Sequence, residues 1–395
     1  MRIGIDCRLW SETGVGRYIR NLVSELSKID TKNSYVLFAL SKDEKNIKSA
    51  IHNSQFVILL IDIKWHTFEE QIKFPQILNQ ENLDLMHFPY FSVPIFYNRP
   101  FVITIHDLII NHFSTGQAST LPLPIYNLKL LAYKFILAQS AKKAKKIIAV
   151  SNATKDEIID HLGVNPQKVV VTYEGVDDKI RNPNIEIRNN SQNTKYKILN
   201  TKYFLYVGNA YPHKNLERLL KAFSAFCHPE RGEGSRDFSA SPQNDTRLLL
   251  IGKEDYFYKR LINKVAEMGL SEKVIFLQNL SDKELVNLYQ NAQALILPSL
   301  MEGFGLPALE AMANNCLVLA SDIPALKEVC GGAALYFNPL SVNELVDKLN
   351  LITSHTTEYR ALEELRKKGI ERAKLFSWRK MAKETLKIYE SCVDL

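Results

Sequence analysis

Apolar residues fall along this chain in short dense runs separated by longer amphipathic stretches. The first series comprises Ile3-Gly4-Ile5, Tyr35–Leu40, Phe56–Leu60, Leu83–His87, Phe101–Ile105, Ile147–Val150 and Lys168–Thr172. A second comprises Tyr203–Val207, Leu248–Ile251, Val274–Leu277, Ala294–Leu297 and Leu317–Ala320. Short runs that are apolar throughout, rather than alternating, predict strands covered on both faces, as in a parallel sheet. Between most of them the spacing lengthens to a helical period, as at Ile19, Leu22, Val23 and Leu26. Strands alternating with helices predict an α/β fold whose ligands gather at the carboxyl ends of the strands.

Two stretches interrupt this rhythm. The polar run Asn182–Asn200 is rich in Asn, Ser and Lys and reads as a linker. Residues His228–Thr246 are rich in Pro, Gly, Ser, Glu and Arg, with Phe238 as their one large apolar side chain, and read as a surface insertion. The organisation that follows is a first domain over 1–180, a linker over 181–200 and a second domain over 201–375 with an inserted loop at 228–246. A last helix over 376–395 completes it. The tail from Glu358 reads as two helices, with Trp378 and Tyr389 as packing anchors.

The richest chemistry lies in Glu302-Gly303-Phe304-Gly305-Leu306-Pro307-Ala308-Leu309-Glu310, which follows the run Ala294–Leu297 bounded by Pro298 and Ser299. Pro307 suits the first turn of a helix, so the element reads as strand, glycine-rich loop, helix start. Such a start offers free N–H groups and a positive dipole end to an anion. Gly303 and Gly305 let backbone approach a ligand. Glu302 before the helix and Glu310 about one turn inside it are placed to hold a sugar hydroxyl and a ribose. Two further stretches share this character. Gly208-Asn209-Ala210-Tyr211-Pro212-His213-Lys214-Asn215-Leu216 puts a cation just before a helix, and Thr104-Ile105-His106-Asp107-Leu108 puts a histidine at a strand end.

These three strings, in this order, resemble the retaining glycosyltransferases of family four, which have the GT-B architecture. The resemblance covers nearly the whole chain apart from the linker and insertion. It implies two Rossmann-like domains facing across a cleft that holds the site, with the last helix crossing back onto the N-terminal domain. It also implies transfer of a sugar, mannose being the family's habit, from a nucleotide diphosphate sugar to an acceptor hydroxyl of a surface polysaccharide or lipid-linked glycan. The family's positions fall on His106, Glu302 and Asp107 as catalytic residues. For the donor they fall on Gly14, Gly16, Asn209, Lys214, Phe304, Gly305, Leu306 and Glu310. Asp107 is open to either orienting His106 or meeting the acceptor. Relatives carry a second cation near Lys214, where this chain has Asn209 or His213. Tyr173-Glu174-Gly175-Val176-Asp177 resembles the family's inter-domain turn.

Rival readings are weighed by the same residues. Gly14-Val15-Gly16 after the first strand invites a dinucleotide fingerprint, but Ile19 occupies its third glycine and Ser41 follows the second strand instead of an acid. A nucleotide-sugar epimerase or phosphorylase shares the architecture. A phosphorylase would need a further lysine for pyridoxal phosphate. A non-catalytic sugar-nucleotide-binding protein is disfavoured by the intact acidic pair. Asp177-Asp178 hints at metal, but the chain has no D-x-D, so a metal-independent reaction without a cofactor is expected, the nucleotide sugar being a substrate.

Composition adds bounds. At 395 residues, 46% hydrophobic and 24% charged, the chain is that of a soluble protein with more than one core. Its five cysteines form no C-x-x-C pair, which fits a reducing cytosol. Met1-Arg2-Ile3-Gly4-Ile5-Asp6 enters a strand at once, and no apolar run is long enough to span a membrane, so a cytoplasmic enzyme is expected. The net charge of +7 suits anionic ligands, without a recognition motif for nucleic acid. Lys142, Lys143, Lys145 and Lys146 follow the apolar stretch Leu121–Ala141. They read as cations at a helix C-terminus or as peripheral contact with anionic lipid.

Overall fold

Strands covered on both faces cannot stop at water, and the sequence supplies side chains to match. All five residues of Phe101–Ile105 are buried, as are all four of Leu85–Phe88, Ala294–Leu297 and Val318–Ser321. The computed structural model describes residues 1–113, 122–177, 180, 201–228, 246–354 and 359–393. The linker over 181–200, Asp178 and positions 229–245 of the insertion lie outside the described residues.

In chain order the elements are β1 (Arg2–Asp6), α1 (Gly14–Ile29), β2 (Ser34–Ala39), α2 (Glu44–Ala50), β3 (Phe56–Leu60), α3 (Phe68–Gln80), β4 (Leu85–Phe88) and β5 (Phe101–Ile105). There follow α4 (Ile109–His112), α5 (Leu123–Lys143), β6 (Lys146–Ala149), α6 (Asn152–Leu162) and β7 (Val169–Val171). The next group is β8 (Tyr203–Val207), α7 (Leu216–Cys227), β9 (Arg247–Ile251), α8 (Tyr256–Glu267), β10 (Val274–Leu277), α9 (Asp282–Asn291) and β11 (Ala294–Leu297). Then come α10 (Leu306–Ala313), β12 (Val318–Ser321), α11 (Pro324–Cys330), β13 (Leu335–Phe337), α12 (Val342–Thr353), α13 (Tyr359–Ala373) and α14 (Trp378–Val393).

Two compact units emerge, one of Met1–Gly175 with Phe376–Leu395 and the other of Val176–Leu375. The first holds a sheet in the order β3-β2-β1-β4-β5-β6-β7, the second one in the order β10-β9-β8-β11-β12-β13, and every pairing is parallel. Both orders run outward from a reversal, between β1 and β4 and between β8 and β11, the signature of a doubly wound Rossmann-like sheet. At such a reversal the loops leaving adjacent strands diverge to opposite faces and open a crevice.

Each unit has its own core. Phe38, Phe74, Phe88, Ile103 and Ile147 pack together in the first, and Phe204, Leu219, Phe223, Leu250 and Ile296 in the second. Truncating one such residue to alanine costs about 2–5 kcal/mol. Helix starts are fixed by local chemistry: Ser281 and Glu284 close a reciprocal capping box on α9, and Asp255 accepts the amides of Phe257 and Tyr258 at α8.

The last helix belongs to the N-terminal unit. α14 packs along α1, and its Tyr389 hydroxyl lies 2.6 Å from His87 Nδ1, whose Nε2 meets Thr104 at 2.8 Å. Gly175 seats the chain against this helix: a Cβ there would stand 2.2 Å from the Trp378 nitrogen, so only glycine fits. α1 starts at Gly14, earlier than the periodicity at Ile19 indicates, because Gly16 lets the first turn lie against the carbonyls of Leu9 and Trp10. No helix among the described residues is long and apolar enough to cross a membrane.

Candidate functional site

In the C-terminal unit the strand reversal lies between β8 and β11, so the loops leaving these two strands frame one crevice. The loop after β8 passes through Gly208 and Asn209 to a short 3-10 turn, Pro212–Lys214. Asn215 then takes a left-handed conformation (φ 59°) and donates its side-chain amide to the carbonyls of Pro298 and Pro339, each at 2.9 Å. That double anchor ties the first loop to the second and fixes where Lys214 points. Asn209, two residues past the strand, accepts the Tyr206 hydroxyl on its carbonyl at 2.6 Å.

The loop after β11 brings Glu302 to meet that lysine. Lys214 Nζ donates to both carboxylate oxygens of Glu302, at 2.7 and 2.8 Å, and Ser299 donates to Oε1 at 2.7 Å. Burial pushes the Glu302 carboxyl up, but the charge and hydrogen bonds of Lys214, with the Ser299 hydroxyl, outweigh this and hold it below the usual range. His213 is neutral beside them, its pKa lowered to about 4 by burial and then by Lys214.

Gly305 ends the loop at φ 96°, a conformation in which an L side chain is strained, and a Cβ would stand 2.6 Å from Leu326. Leu306 and Pro307 are partly exposed in the first turn of α10, where proline has no N–H to leave unpaired and the Ala308 amide donates to the Gly305 carbonyl at 2.9 Å. Phe304 is buried beneath it. Glu310 lies inside α10, 3% exposed, where its Oε2 accepts the Tyr289 hydroxyl at 2.9 Å. The structure therefore joins Lys214 directly to Glu302 and holds Glu310 separately, through α9.

In the N-terminal unit the corresponding reversal lies between β1 and β4. Asp6, Arg8, Leu9, Trp65, Phe88, Pro89, Tyr90 and Ser92 line a small pocket there. Arg8 donates to Asp6 and to Glu70, both at 2.7 Å through Nη2, and its guanidinium lies 4.1 Å over the Phe74 ring. Burial raises the Glu70 carboxyl against the opposing pull of Arg8.

His106 follows β5, with its ring edge-on to Tyr18 at 5.0 Å. Its Nε2 lies 3.0 Å from the Pro89 carbonyl and its Nδ1 3.3 Å from Glu174. Asp107 Oδ1 accepts the amide of Ile109 at 3.1 Å and so caps α4. His87, the other strand-end histidine, is fully buried and held neutral, its pKa lowered to about 3 by burial and then by His106. Gly14 stands in open space at the head of α1, and Gly16 is packed as described.

Sequence reasoning missed three residues. Glu174 reaches His106 from 68 positions away in the chain and reads locally as part of a turn. Ser299 and Tyr289 hold the two acids. Ser299 had a signal, since it lies two residues past the end of β11 and precedes Glu302 by three residues, whereas nothing near Tyr289 announces its partner.

A cation paired to an acid at the switch point, beside a half-buried helix start, makes a site suited to a phosphorylated ligand. Comparison with known proteins gives the family. The model for "Glycosyl transferases group 1" matches residues 188–375 and that for "Glycosyltransferase Family 4" matches 13–179, and the chain belongs to these glycosyltransferases. Among curated relatives, the O-antigen chain mannosyltransferase RfbU of Salmonella typhimurium is 25% identical over 367 residues, covering 88% of this chain and 92% of that protein. An MMP α-(1→4)-mannosyltransferase of Mycolicibacterium hassiacum is 29% identical, covering 66% of this chain and 58% of that one. Among solved structures, Anabaena Alr3699/HepE in complex with UDP and glucose superposes with a TM-score of 0.71 at 17% identity, covering 99% of this chain and 100% of that one. WaaG, a glycosyltransferase involved in lipopolysaccharide biosynthesis, gives 0.70 at 14% identity, with 98% and 99% covered. These two likenesses speak to fold.

Proposed function

We propose that this glycosyltransferase moves mannose from a nucleotide diphosphate donor to a hydroxyl of a surface glycan or lipid-linked precursor, retaining the anomeric configuration and needing no metal. The observation that carries this reading is the Lys214–Glu302 pair, held at the β8/β11 switch point by Asn215 and Ser299. Two of the ammonium's three donors serve Glu302, leaving one for a donor phosphate. The Leu306 amide at the start of α10 supplies a further N–H group, with Gly305 permitting close approach. Glu302 positions the sugar and Glu310 the ribose, with Asn209, Phe304 and Leu306 as further donor contacts in the same unit, and Gly14 and Gly16 are the donor contacts assigned to the N-terminal unit. As the bond from the anomeric carbon to the diphosphate breaks, negative charge grows on the departing phosphate beside Lys214, where a fixed cation counts most. The acceptor oxygen forms the new bond on the same face, and its proton passes to the departing phosphate oxygen. His106, oriented by Glu174, and Asp107 serve the reacting end. Mannose is favoured by the relatives' names, although solved neighbours hold UDP and glucose.

A peripheral contact with anionic membrane on the cytoplasmic side fits the same acceptors. α5 exposes Ile125, Leu128, Leu131 and Phe135 at helical spacing, at 49%, 69%, 66% and 53%, and exposed Lys142 stands in the last turn of the same helix while Lys145 follows it. Lys143 instead donates to the Ile95 carbonyl and Asn98.

A thermal-shift screen across GDP-mannose, UDP-sugars and dTDP-sugars, followed by turnover in EDTA with the product anomer read by NMR, tests the proposal. GDP-mannose should stabilise most, and an α-linked product should form at an unchanged rate in EDTA. An activity lost on chelation and restored by manganese, or an inverted product, would overturn it.

A further inference from the structure

Away from all residues given a role so far, His112, Glu157 and His161 converge at the surface of the N-terminal unit. His112 ends α4, and Glu157 and His161 lie one turn apart on α6, so i,i+4 spacing puts both on one helix face. His112 Nε2 stands 2.6 Å from Glu157 Oε2 and His161 Nε2 3.1 Å from the same oxygen. The imidazoles meet edge-on, centroids 4.8 Å apart at 89°, and the three potential ligand atoms all lie within 4.8 Å of one another.

We propose that this cluster is a binding site for a divalent transition metal of the zinc class. Zinc takes imidazole nitrogen and carboxylate oxygen in tetrahedral geometry at about 2.0–2.2 Å, which sets ligand atoms roughly 3.4 Å apart. The spacing observed brackets that value, so side-chain rotation suffices, without movement of the helices. Two imidazoles exclude calcium and magnesium, whose sites are built from oxygen. Thiols do not compete, since all five cysteines are buried. With three protein ligands and the side chains about a third exposed, water completes the fourth position.

The position gives the site a purpose. α4 begins at the Asp107 cap, one residue beyond His106, and Thr154 of α6 donates to the His106 carbonyl at 3.4 Å. A metal joining His112 to α6 would clip together the two segments that flank His106. This is a structural clip, independent of the donor chemistry assigned to the other unit, and its readouts are binding and stability rather than turnover.

The test uses the full chain freed of metal with a chelator and then desalted, titrated with Zn²⁺ against a chromophoric chelator and with Co²⁺ under visible spectroscopy. One zinc per chain should bind and raise the unfolding midpoint, and Co²⁺ should give the intense visible bands of a low-coordinate site. His112→Ala and His161→Ala should each weaken Zn²⁺ by at least about ten-fold, a loss already seen for mere supporting residues at metal sites. Glu157→Gln, which keeps the hydrogen bonds but drops the charge, should weaken it too, and millimolar Mg²⁺ should not compete. Equal zinc affinity in the wild-type chain and a His112→Ala/His161→Ala double variant would overturn the proposal. So would a Co²⁺ spectrum no different from the free aqua ion.

Discussion

At the switch point of the N-terminal sheet, Arg8 is 1% exposed and is shared between Asp6, at 13%, and Glu70, at 0%. At the switch point of the C-terminal sheet, Lys214 and Glu302 are 16% and 10% exposed. The topologies are alike, but the cations are handled differently. A planar guanidinium can be engaged from several directions, and Arg8 is: Asp6 takes Nε and Nη2, Glu70 takes Nη2, and Phe74 covers the face. An ammonium is a point charge with three donors, and Glu302 uses two from one side. The first cluster holds the fold of its unit together, whereas the second has capacity left for an anion. What separates the two cations is therefore the number of directions already filled.

The largest effect expected from breaking the comparison is at the buried end. Arg8→Met strands the buried Glu70 and the partly buried Asp6 and should destabilise the chain by about 3–5 kcal/mol. Urea unfolding reads this, and an unchanged midpoint would mean that the cluster holds nothing. Lys214→Ala should move the unfolding midpoint less but lower turnover on the order of 10²–10³-fold, the usual loss of a group that stabilises developing negative charge. A variant that is unstable yet fully active would place Lys214 with Arg8.

The two acids of the C-terminal unit sharpen the contrast. Glu302→Gln should lower single-turnover rates on the order of 10²-fold with a smaller change in donor affinity, because a carboxylate facing the sugar matters most as positive charge develops there. Glu310→Gln should chiefly raise the donor dissociation constant, the pattern of uniform binding lost. Its burial against Tyr289 adds a modest loss of stability. Calorimetry and rapid quench separate these, and reversed behaviour would turn the donor around in the site.

Acid gives the smallest and broadest effect. His87 and His213 are held neutral with pKa values lowered to about 3 and about 4, each mainly by burial. Unfolded, both titrate near 6.5, so below that pH the unfolded chain takes up protons that the fold refuses. Their stabilising contribution is complete above about pH 6.5 and is lost as pH falls toward those lowered values. Melting temperatures from pH 7 to pH 4 should fall, and His87→Gln should flatten the decline. A slope unchanged in that variant would assign acid sensitivity elsewhere.

Much of this was legible in the sequence, because it is local. Strand runs announce themselves by unbroken apolarity, and Lys214, Glu302 and Gly305 by their place between a strand and a helix. The strand β13, Leu335–Phe337, closes the short apolar run Ala333–Phe337, which the strand series read from the sequence omits, and its pairing with β12 defines it. Arg8 reads as an ordinary loop cation, since its partner Glu70 is 62 positions away. Leu121–Ala141 suggests a half-buried helix, yet α5 leaves four large apolar side chains exposed. Amphipathicity is needed to predict which face is covered, and this helix is apolar on several.

Consider, finally, the order in which the chain emerges during synthesis. α14 and Tyr389, which complete the packing around α1 and His87, follow the whole of Val176–Leu375. At about 5–20 residues per second, those 200 residues occupy roughly 10–40 s. Throughout that interval the first sheet exists without the helix that covers α1 and His87 lacks its tyrosine, and by its end the second unit has every residue it needs. The half made first is thus finished last. Protease pulses on stalled nascent chains should find Val176–Leu375 protected before Met1–Gly175 is, and an N-terminal half protected ahead of α14 would refute that order.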